Sequence, residues 1–231
     1  MGPLATVDLM QKIIVSTNAV SDQEHIHILV DNNPQIPDRT AAILGQGPSP
    51  VFEMVRSGLN LEKMGADVLV MACNTAHYFL PQIQPFFHIP VLNMIEETAK
   101  HCQARGLDCV GLLATRGTYQ SGIYAAAFGK YGIKLLQPSD ADKAVIQAMI
   151  YDGVKAGDAA YDTTAFRQIL KALRLAGAEA FVLGCTEIPV AVKMYNVVED
   201  YIDATQVLAE CAVAYAGGLR VKDTAPAAKA E

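Results

Sequence analysis

Two cysteines occupy matching positions in two similar stretches of this 231-residue chain. Cys73 lies in GADVLVMACNT (residues 65–75), and Cys185 lies in GAEAFVLGCTE (residues 177–187), so that the second copy follows the first by 112 residues. Each copy reads as a glycine that ends a helix, a buried apolar strand, and a cysteine where the strand finishes. We interpret the match as an internal duplication that places two thiols at equivalent positions in two similar lobes.

Two thiols on opposite walls of one cleft are suited to moving a proton from one face of a carbon atom to the other. One thiolate removes a proton and the opposite thiol returns one on the other face, so that the stereocentre is inverted. The ordinary thiol pKa of about 8.5 allows one cysteine to be charged while the other is protonated. Polar donors follow both cysteines, namely Asn74 and Thr75 after the first and Thr186 after the second. Such donors can hold a carboxylate and stabilise a carbanion-like transition state.

The elements around the cysteines alternate between strands and helices. Further strands are predicted at 25–31, 90–94, 108–114, 133–138 and 196–199, and helices at 51–64, 119–131, 140–156, 163–176 and 203–216. This alternation is typical of α/β proteins, in which ligands bind at the carboxyl ends of parallel strands. We therefore predict an α/β fold of two pseudo-symmetric lobes, each a parallel sheet flanked by helices, with the active site in the cleft between them. The first lobe is predicted to comprise residues 1–98 plus 206–231, and the second residues 99–205.

The duplication also predicts a gap in the first lobe. The second lobe opens with the strand DCVGLLA (residues 108–114) before its first helix, whereas the first lobe begins directly at a helix after Met1 and Gly2. We therefore expect one buried central strand to be absent from the first lobe, or its place to be filled by another segment. The alanine-rich tail at 222–231 is expected to be disordered.

Composition narrows the class of protein. A net charge of −6, a pI near 5.4 and the absence of a basic cluster argue against nucleic acid as a partner. No run of about 18 apolar residues predicts a membrane span. Five cysteines, an odd number without close pairs, favour a reducing compartment. Because the first residues also lack a signal-peptide pattern, we predict a cytoplasmic protein.

Several motifs together resemble the aspartate/glutamate racemase family, and in particular its aspartate racemase branch. They are CNTAH at 73–77, GCTE at 184–187, NNPQIPDRT at 32–40 and the opening MGPLAT, and the similarity extends to about Gly217. The resemblance implies a cofactor-independent racemase of two α/β lobes, with an acidic amino acid as substrate and a homodimer as the assembly. Family members usually carry a strand ahead of the MGP segment, and the lack of one here agrees with the gap predicted from the duplication.

The resemblance also implies roles for individual residues. Cys73 and Cys185 become the catalytic acid/base pair. An arginine at position 39 makes physical sense, because a guanidinium can hold a side-chain carboxylate with two hydrogen bonds. Asn74, Thr75 and Thr186 are implied as contacts to the α-carboxylate or amine, whereas Glu187 either contacts substrate or orients a helix. The candidate substrate-binding residues are Asp38, Arg39, Asn74, Thr75, Thr115, Thr118, Lys155, Thr186 and Glu187.

Other interpretations stay open at this point. A strand cysteine is usually a small buried hydrophobe, which is our interpretation of Cys102, Cys109 and Cys211. No metal site is predicted, because the cysteines lack the short spacings of zinc ligands. His77 can equally be structural or close to the substrate, and Arg39 and Lys155 can be ordinary solvated charges. The alternative functions are a glutamate or broad-specificity amino-acid racemase, a non-catalytic amino-acid-binding protein, and a thiol-redox protein.

Overall fold

The computed structural model describes residues 1–217, which form eleven α-helices and one four-stranded sheet. The helices are α1 (Pro3–Ser16), α2 (Arg39–Ile43), α3 (Val51–Lys63), α4 (Leu80–Ile83), α5 (Met94–Ala104), α6 (Arg116–Ser121), α7 (Ile123–Lys130), α8 (Asp140–Ala148), α9 (Thr164–Leu175), α10 (Ile188–Met194) and α11 (Ala204–Tyr215). Short 3₁₀ helices span Asp22–Glu24, Thr75–Phe79 and Gln84–Phe86, and a π-helix (Met149–Lys155) continues α8. The predicted tail at 222–231 lies outside the described residues.

The sheet comprises β1 (Cys109–Ala114), β2 (Lys134–Leu136), β3 (Ala180–Gly184) and β4 (Tyr201–Asp203). All pairs are parallel and the order is β2-β1-β3-β4. The strand order reverses between β1 and β3, so the carboxyl ends of these two strands form the crevice where α/β sheets bind ligands. The predicted α/β fold is confirmed, whereas the division at residues 98 and 206 stays a prediction.

Helices cover both faces of the sheet, and the sequence of β3 shows why. Phe181 and Leu183 pack into one buried cluster with α8, α9 and α10, whereas Ala180 and Val182 pack into a second with α5 and α7. Successive side chains of a strand point to opposite faces, and a strand buried on both faces reads as a continuous apolar run. The run AFVLG therefore ends with Cys185 fixed at the edge of a rigid core.

The first half of the chain has a much weaker sheet. Its one parallel bridge among the described residues joins Leu69 to Val91. The segment at 26–30, predicted as part of a strand, makes no backbone hydrogen bond to any described residue. Its side chains nevertheless alternate like a strand, because Ile26 and Ile28 pack with Val70 against α1 and α11. Within residues 1–217, the segments at 26–30 and 69–72 are therefore not joined by a hydrogen-bond ladder.

Two predicted elements differ in detail. The helix predicted at 119–131 is divided between α6 and α7, because Gly122 adopts a left-handed conformation with φ 67°. The strand predicted at 196–199 is not formed, since Asn196 also has a positive φ, of 50°. The strand begins instead at β4, beside the carbonyl of Asp200, which accepts a hydrogen bond from the N–H of Phe181. Across residues 1–217, no helix is both long and apolar enough to cross a membrane.

Candidate active site

One cavity brings together residues that follow strand ends in both halves of the chain. It is lined by Gly2, Asp38, Arg39, Thr40, Ala72, Cys73, Asn74, Thr75, Thr115, Tyr151, Lys155, Cys185, Thr186 and Glu187. Every candidate residue from the sequence is present except Thr118, which lies directly behind the lining and is hydrogen-bonded to Thr75. The candidate residues from the two halves of the chain therefore lie together around one cavity.

Cys185 is positioned by β3 and is paired with a carboxylate. The chain passes close to β1 at Gly184, where an added Cβ would lie 2.7 Å from Leu112 Cδ1. The buried Cys185 Sγ donates a hydrogen bond of 3.0 Å to Glu187 Oε2, and Thr186 Oγ1 donates to the same oxygen. Burial raises the pKa of the Cys185 thiol well above its usual value, and the charge of Glu187 raises it further. These contacts hold Cys185 in the protonated form.

Cys73 follows the segment that contains Leu69 and is only partly buried. His77 fixes the turn after it, with Nδ1 2.9 Å from the carbonyl oxygen of Cys73 and Nε2 accepting the N–H of Met94. Because Nε2 accepts, the proton is on Nδ1, which donates to Cys73. Burial lowers the pKa of His77 and so favours this neutral form. His77 therefore has a structural function beside the site.

A cation lies on the Cys73 side of the cavity. Asp38 caps α2 by accepting the N–H of Ala41 at 2.8 Å, and Arg39 Nη1 donates to the carbonyls of Ile36 and Pro37. Burial lowers the pKa of Arg39, but the negative charges of Cys73, Asp38 and Glu187 outweigh that effect, so the pKa is raised overall. Its Nε is buried and makes no hydrogen bond within residues 1–217. The guanidinium thus stays charged and offers a donor to an anion.

A second cation reaches the cavity from the π-helix. Lys155 Nζ lies 4.0 Å from Glu187 Oε1 and 4.1 Å above the ring centre of Tyr151, whose hydroxyl donates to Asp38 Oδ2 at 3.2 Å. Burial lowers the pKa of Lys155, but the neighbouring negative groups, Glu187 first among them, raise it overall. Sequence reasoning missed Tyr151, although its place four residues before Lys155 is a helical spacing that puts two side chains on one face.

The PDRT loop is held close to β1 by a direct approach of α2 to α6. A Cβ added at Gly117 would lie 2.7 Å from Thr40 Oγ1 and 2.8 Å from Thr40 Cα, so only glycine permits this contact. Sequence reasoning missed both Gly117 and Thr40. The contact joins residues far apart in the chain, and no local pattern indicates it.

Hydroxyl and amide groups complete the site between the two halves. The hydroxyl oxygens of Thr75, Thr115 and Thr118 form a closed triangle with sides of 3.0, 2.9 and 3.0 Å. Asn74 Oδ1 accepts the hydroxyl of Tyr124 at 2.5 Å, whereas the buried Nδ2 has no hydrogen-bond partner in the described part of the chain. That amide is therefore available to a bound carboxylate. No group of three or more His, Cys, Asp or Glu side chains in residues 1–217 is arranged to hold a metal ion.

The two sulfurs consequently lie in opposite electrostatic surroundings. Cys73 has the guanidinium of Arg39 as its charged neighbour, and Cys185 has the carboxylate of Glu187. A cation stabilises a thiolate, whereas a carboxylate that accepts the S–H bond stabilises a thiol. The cavity therefore combines one sulfur beside a cation with another that is hydrogen-bonded to a carboxylate.

Comparison with known proteins gives a consistent result. The solved structure of the aspartate racemase of Picrophilus torridus is 34% identical in sequence, with a TM-score of 0.84 over 96% of this chain and 92% of its own. The broad specificity amino-acid racemase RacX of Bacillus subtilis is 27% identical over 224 residues, which is 92% of this chain and 93% of RacX. The glutamate racemase of Deinococcus radiodurans is 26% identical over 197 residues, which is 81% of this chain and 61% of that enzyme.

The family match extends across both cysteine motifs. The family described as Asp/Glu/Hydantoin racemase matches residues 1–212, which include every residue that lines the cavity. The fold agrees, because the Picrophilus torridus structure aligns over nearly the whole of both chains. The chain therefore belongs to the Asp/Glu/hydantoin racemase family.

Proposed function

We propose that this protein is a cofactor-independent amino-acid racemase that interconverts L- and D-aspartate, with Cys73 and Cys185 as its two proton-transfer groups. The observation that carries the proposal is that both cysteines line one cavity in opposite electrostatic surroundings. A two-base racemisation needs one thiolate and one thiol at the same moment. The membership of the chain in a racemase family supports the same reaction class.

In the proposed cycle, the Cys73 thiolate removes the α-proton from one face of the bound amino acid. The C–H bond breaks, an S–H bond forms on Cys73, and negative charge develops on the α-carbon and its carboxylate. The Cys185 S–H bond then breaks and its proton is delivered to the opposite face, which leaves Cys185 as the thiolate. The reverse reaction exchanges the two roles. The free amide of Asn74 is our candidate for stabilising the carboxylate as charge develops.

Aspartate is our preferred substrate because two cations line the cavity. Arg39 and Lys155 both stay protonated despite burial. An acidic amino acid brings two carboxylates, so one cation can bind the side chain while neutral donors hold the α-carboxylate. The similarity to an aspartate racemase at 34% identity supports this choice. Glutamate, or a broad set of amino acids, is the alternative favoured by the similarity to the glutamate racemase and to RacX.

Proton exchange in deuterated buffer tests the proposed reaction. The purified protein is incubated with L-aspartate, and separately with L-glutamate, while NMR follows the α-proton and chiral chromatography follows the D-isomer. We expect the α-proton signal of aspartate to disappear as D-aspartate forms. If a folded sample exchanges neither amino acid but binds one of them, the protein is an amino-acid-binding protein instead. A Cys73–Cys185 disulfide formed in air with no exchange of either substrate would favour the thiol-redox function.

Substitution of Glu187 gives a separate prediction, about the pH dependence of activity. Glu187→Gln removes the negative charge that, after burial, raises the pKa of Cys185, so this pKa should fall. Cys185 donates its proton only as the thiol, and activity is lost as pH rises through its pKa. We therefore expect the alkaline limb of the kcat/KM profile to move to lower pH, by about one unit.

The pH profile needs a matched control. Glu199→Gln removes an equal charge from a residue that pairs with Arg174 and does not line the cavity, so its profile should match that of the unaltered enzyme. The rate at which iodoacetamide alkylates Cys185 can be measured against pH in a Cys73→Ser background. This rate profile reports the pKa of Cys185 without turnover. An alkaline limb unmoved by Glu187→Gln would contradict the assignment of Cys185 as the acid.

We also propose a homodimer in a reducing compartment such as the cytoplasm. The exposed apolar side chains of Leu4, Val7 and Ile14 on α1 support self-association. The five free cysteines support a reducing compartment. Sedimentation equilibrium tests the first proposal, because a monomer at micromolar concentration would contradict it. Thiol titration of protein taken directly from cells tests the second.

A further inference from the structure

One buried tyrosine of the second half of the chain reaches the turn that follows Cys73. Tyr124 lies in the first turn of α7 and is 1% exposed. Its ring packs against that of Phe128, with the ring centres 5.7 Å apart. Its hydroxyl donates a hydrogen bond of 2.5 Å to Asn74 Oδ1, across 50 positions of sequence. Because Tyr124 does not line the cavity, any effect that it has on a bound substrate passes through Asn74.

Two successive helices of the second half hold this turn. The hydroxyl of Thr118 on α6 bonds to that of Thr75 at 2.9 Å, and Tyr124 on α7 bonds to Asn74. In an unbroken helix, two side chains six positions apart are separated by about 120° around the axis. Gly122 ends α6 and precedes α7 with a φ of 67°, so the two helices have different directions. The break therefore allows both side chains to contact neighbouring residues of one turn.

The proton in the bond between Tyr124 and Asn74 belongs to the tyrosine. Burial raises the pKa of the Tyr124 hydroxyl well above its usual value, so this group stays protonated. A buried hydroxyl proton needs an acceptor, and Asn74 Oδ1 is the acceptor at hydrogen-bond distance that the structure gives it. An asparagine amide has one oxygen and one nitrogen, so an oxygen held by Tyr124 turns Nδ2 away from the tyrosine.

The nitrogen of the same amide is the group left for a ligand. Asn74 is 1% exposed and lines the cavity, and its buried Nδ2 has no hydrogen-bond partner within residues 1–217. Buried amide donors are nearly always hydrogen-bonded, so an unpaired one in a cavity wall indicates a ligand that carries an acceptor. Linked hydrogen bonds polarise one another, so donation from Tyr124 to the amide oxygen makes Nδ2 a stronger donor. Tyr124 thus both orients and strengthens this donor.

We propose that Tyr124 is a positioning residue for racemisation, whose hydroxyl fixes Asn74 so that Nδ2 donates to the α-carboxylate of the bound amino acid. This inference rests on the proposed function, in which negative charge develops on the α-carbon and its carboxylate. A donor that is held in place before the reaction stabilises this charge more than it stabilises the bound substrate. Loss of the tyrosine hydroxyl should therefore lower kcat and leave KM nearly unchanged.

Tyr124→Phe tests the proposal, because it keeps the ring and removes only the hydroxyl. We expect kcat for aspartate to fall about 10-fold, which corresponds to one lost hydrogen bond, with KM unchanged within about twofold. Tyr131→Phe is the matched control. Tyr131 donates to Glu96 Oε1 at 2.7 Å and does not line the cavity, so kcat should be unchanged. Thermal unfolding shows whether both variants are folded.

A double variant shows whether Tyr124 acts through Asn74. Asn74→Ala removes the amide, so the addition of Tyr124→Phe to this variant should lower kcat further by less than about twofold. An equal loss in the two backgrounds would overturn the proposal, because the hydroxyl would then act independently of the amide. A rise in KM with unchanged kcat would overturn it as well, since the hydroxyl would then serve binding alone.

NMR of the Asn74 side-chain amide gives a readout that does not need turnover. The signals of its Nδ2 protons are identified by their absence in Asn74→Ala. We expect them to shift in Tyr124→Phe but not in Tyr131→Phe, and to shift in the unaltered protein when L-aspartate is added. Signals that move in neither experiment would contradict the positioning role, even in an active racemase.

The same signals separate this inference from the proposed function. If the protein racemises neither aspartate nor glutamate but the Asn74 signals shift as expected, the proposed function is wrong and Tyr124 still holds Asn74 toward a ligand. If Tyr124→Phe does not fold, the shift that aspartate causes in the unaltered protein decides, and signals unmoved at saturating aspartate overturn the proposal.

Discussion

Replacing either Cys73 or Cys185 with alanine is expected to lower the racemisation of aspartate by about 10²- to 10⁴-fold, while the protein stays folded. Each substitution removes one of the two proton-transfer groups, and a positioned acid or base contributes about 10²- to 10⁴-fold to a rate. Turnover is measured by chiral chromatography from both enantiomers, and folding by thermal unfolding. Cys109→Ala is the matched control. Cys109 is a partly exposed cysteine at the start of β1, at the end of the strand away from the cavity, so its substitution should leave turnover unchanged.

The single variants also distinguish two bases from one. Each variant keeps one of the two sulfurs. That sulfur can still exchange the α-proton of the enantiomer whose α-proton points toward it. In deuterated buffer we expect Cys73→Ala and Cys185→Ala to exchange opposite enantiomers without inverting them. If both variants exchange the same enantiomer, or if one of them keeps full racemisation, the two-thiol mechanism is wrong.

Arg39→Ala is expected to lower kcat/KM for aspartate by about 10²-fold or more. The guanidinium is a charged group with a buried, unpartnered Nε in the cavity, and truncating one member of a buried charge pair costs about 2–5 kcal/mol. Alanine lacks a side-chain carboxylate, so the smaller rate with alanine as substrate should change less. The ratio of the two kcat/KM values is the measurement that separates substrate recognition from general damage.

Two further variants sharpen that experiment. Arg39→Lys keeps the positive charge but cannot form the bidentate hydrogen bonds of a guanidinium with a carboxylate. We therefore expect kcat/KM for aspartate to recover only in part. Arg56→Ala is the matched control, because Arg56 is an exposed arginine that pairs with Glu53 on α3 and does not line the cavity. An unchanged ratio in Arg39→Ala would remove Arg39 from substrate binding and leave it with its contacts to the carbonyls of Ile36 and Pro37.

The sequence placed candidate residues around one cavity where its signals were local. Cys73 and Cys185 were found because the same apolar run precedes both, and the polar residues after them follow from strand-end position. The burial of both faces of β3 was encoded in its unbroken apolar run. The predicted strand at 25–31 has the pattern of a strand but lacks a ladder, since pairing depends on a partner backbone and not on the segment itself.

Long-range contacts were the part that could not be predicted. Tyr151 reaches Asp38 across 113 positions of sequence, and its helical spacing from Lys155 does not indicate that contact. The approach of Thr40 to Gly117 depends in the same way on where α2 and α6 are placed by the rest of the fold. Such contacts become visible only when the elements are assembled.

The triangle of threonine hydroxyls has a consequence for how a substrate is oriented. Each hydroxyl has one proton and two lone pairs. In a closed ring of three, each hydroxyl donates its proton to one neighbour and accepts from the other, so one lone pair remains on each oxygen. The second lone pair of Thr115 is used by the N–H of Thr118. Thr75 lines the cavity, and its hydroxyl therefore faces a ligand as an acceptor alone. We infer that this corner attracts the ammonium group of an amino acid and repels its carboxylates, so that the three hydroxyls favour one orientation of the bound amino acid.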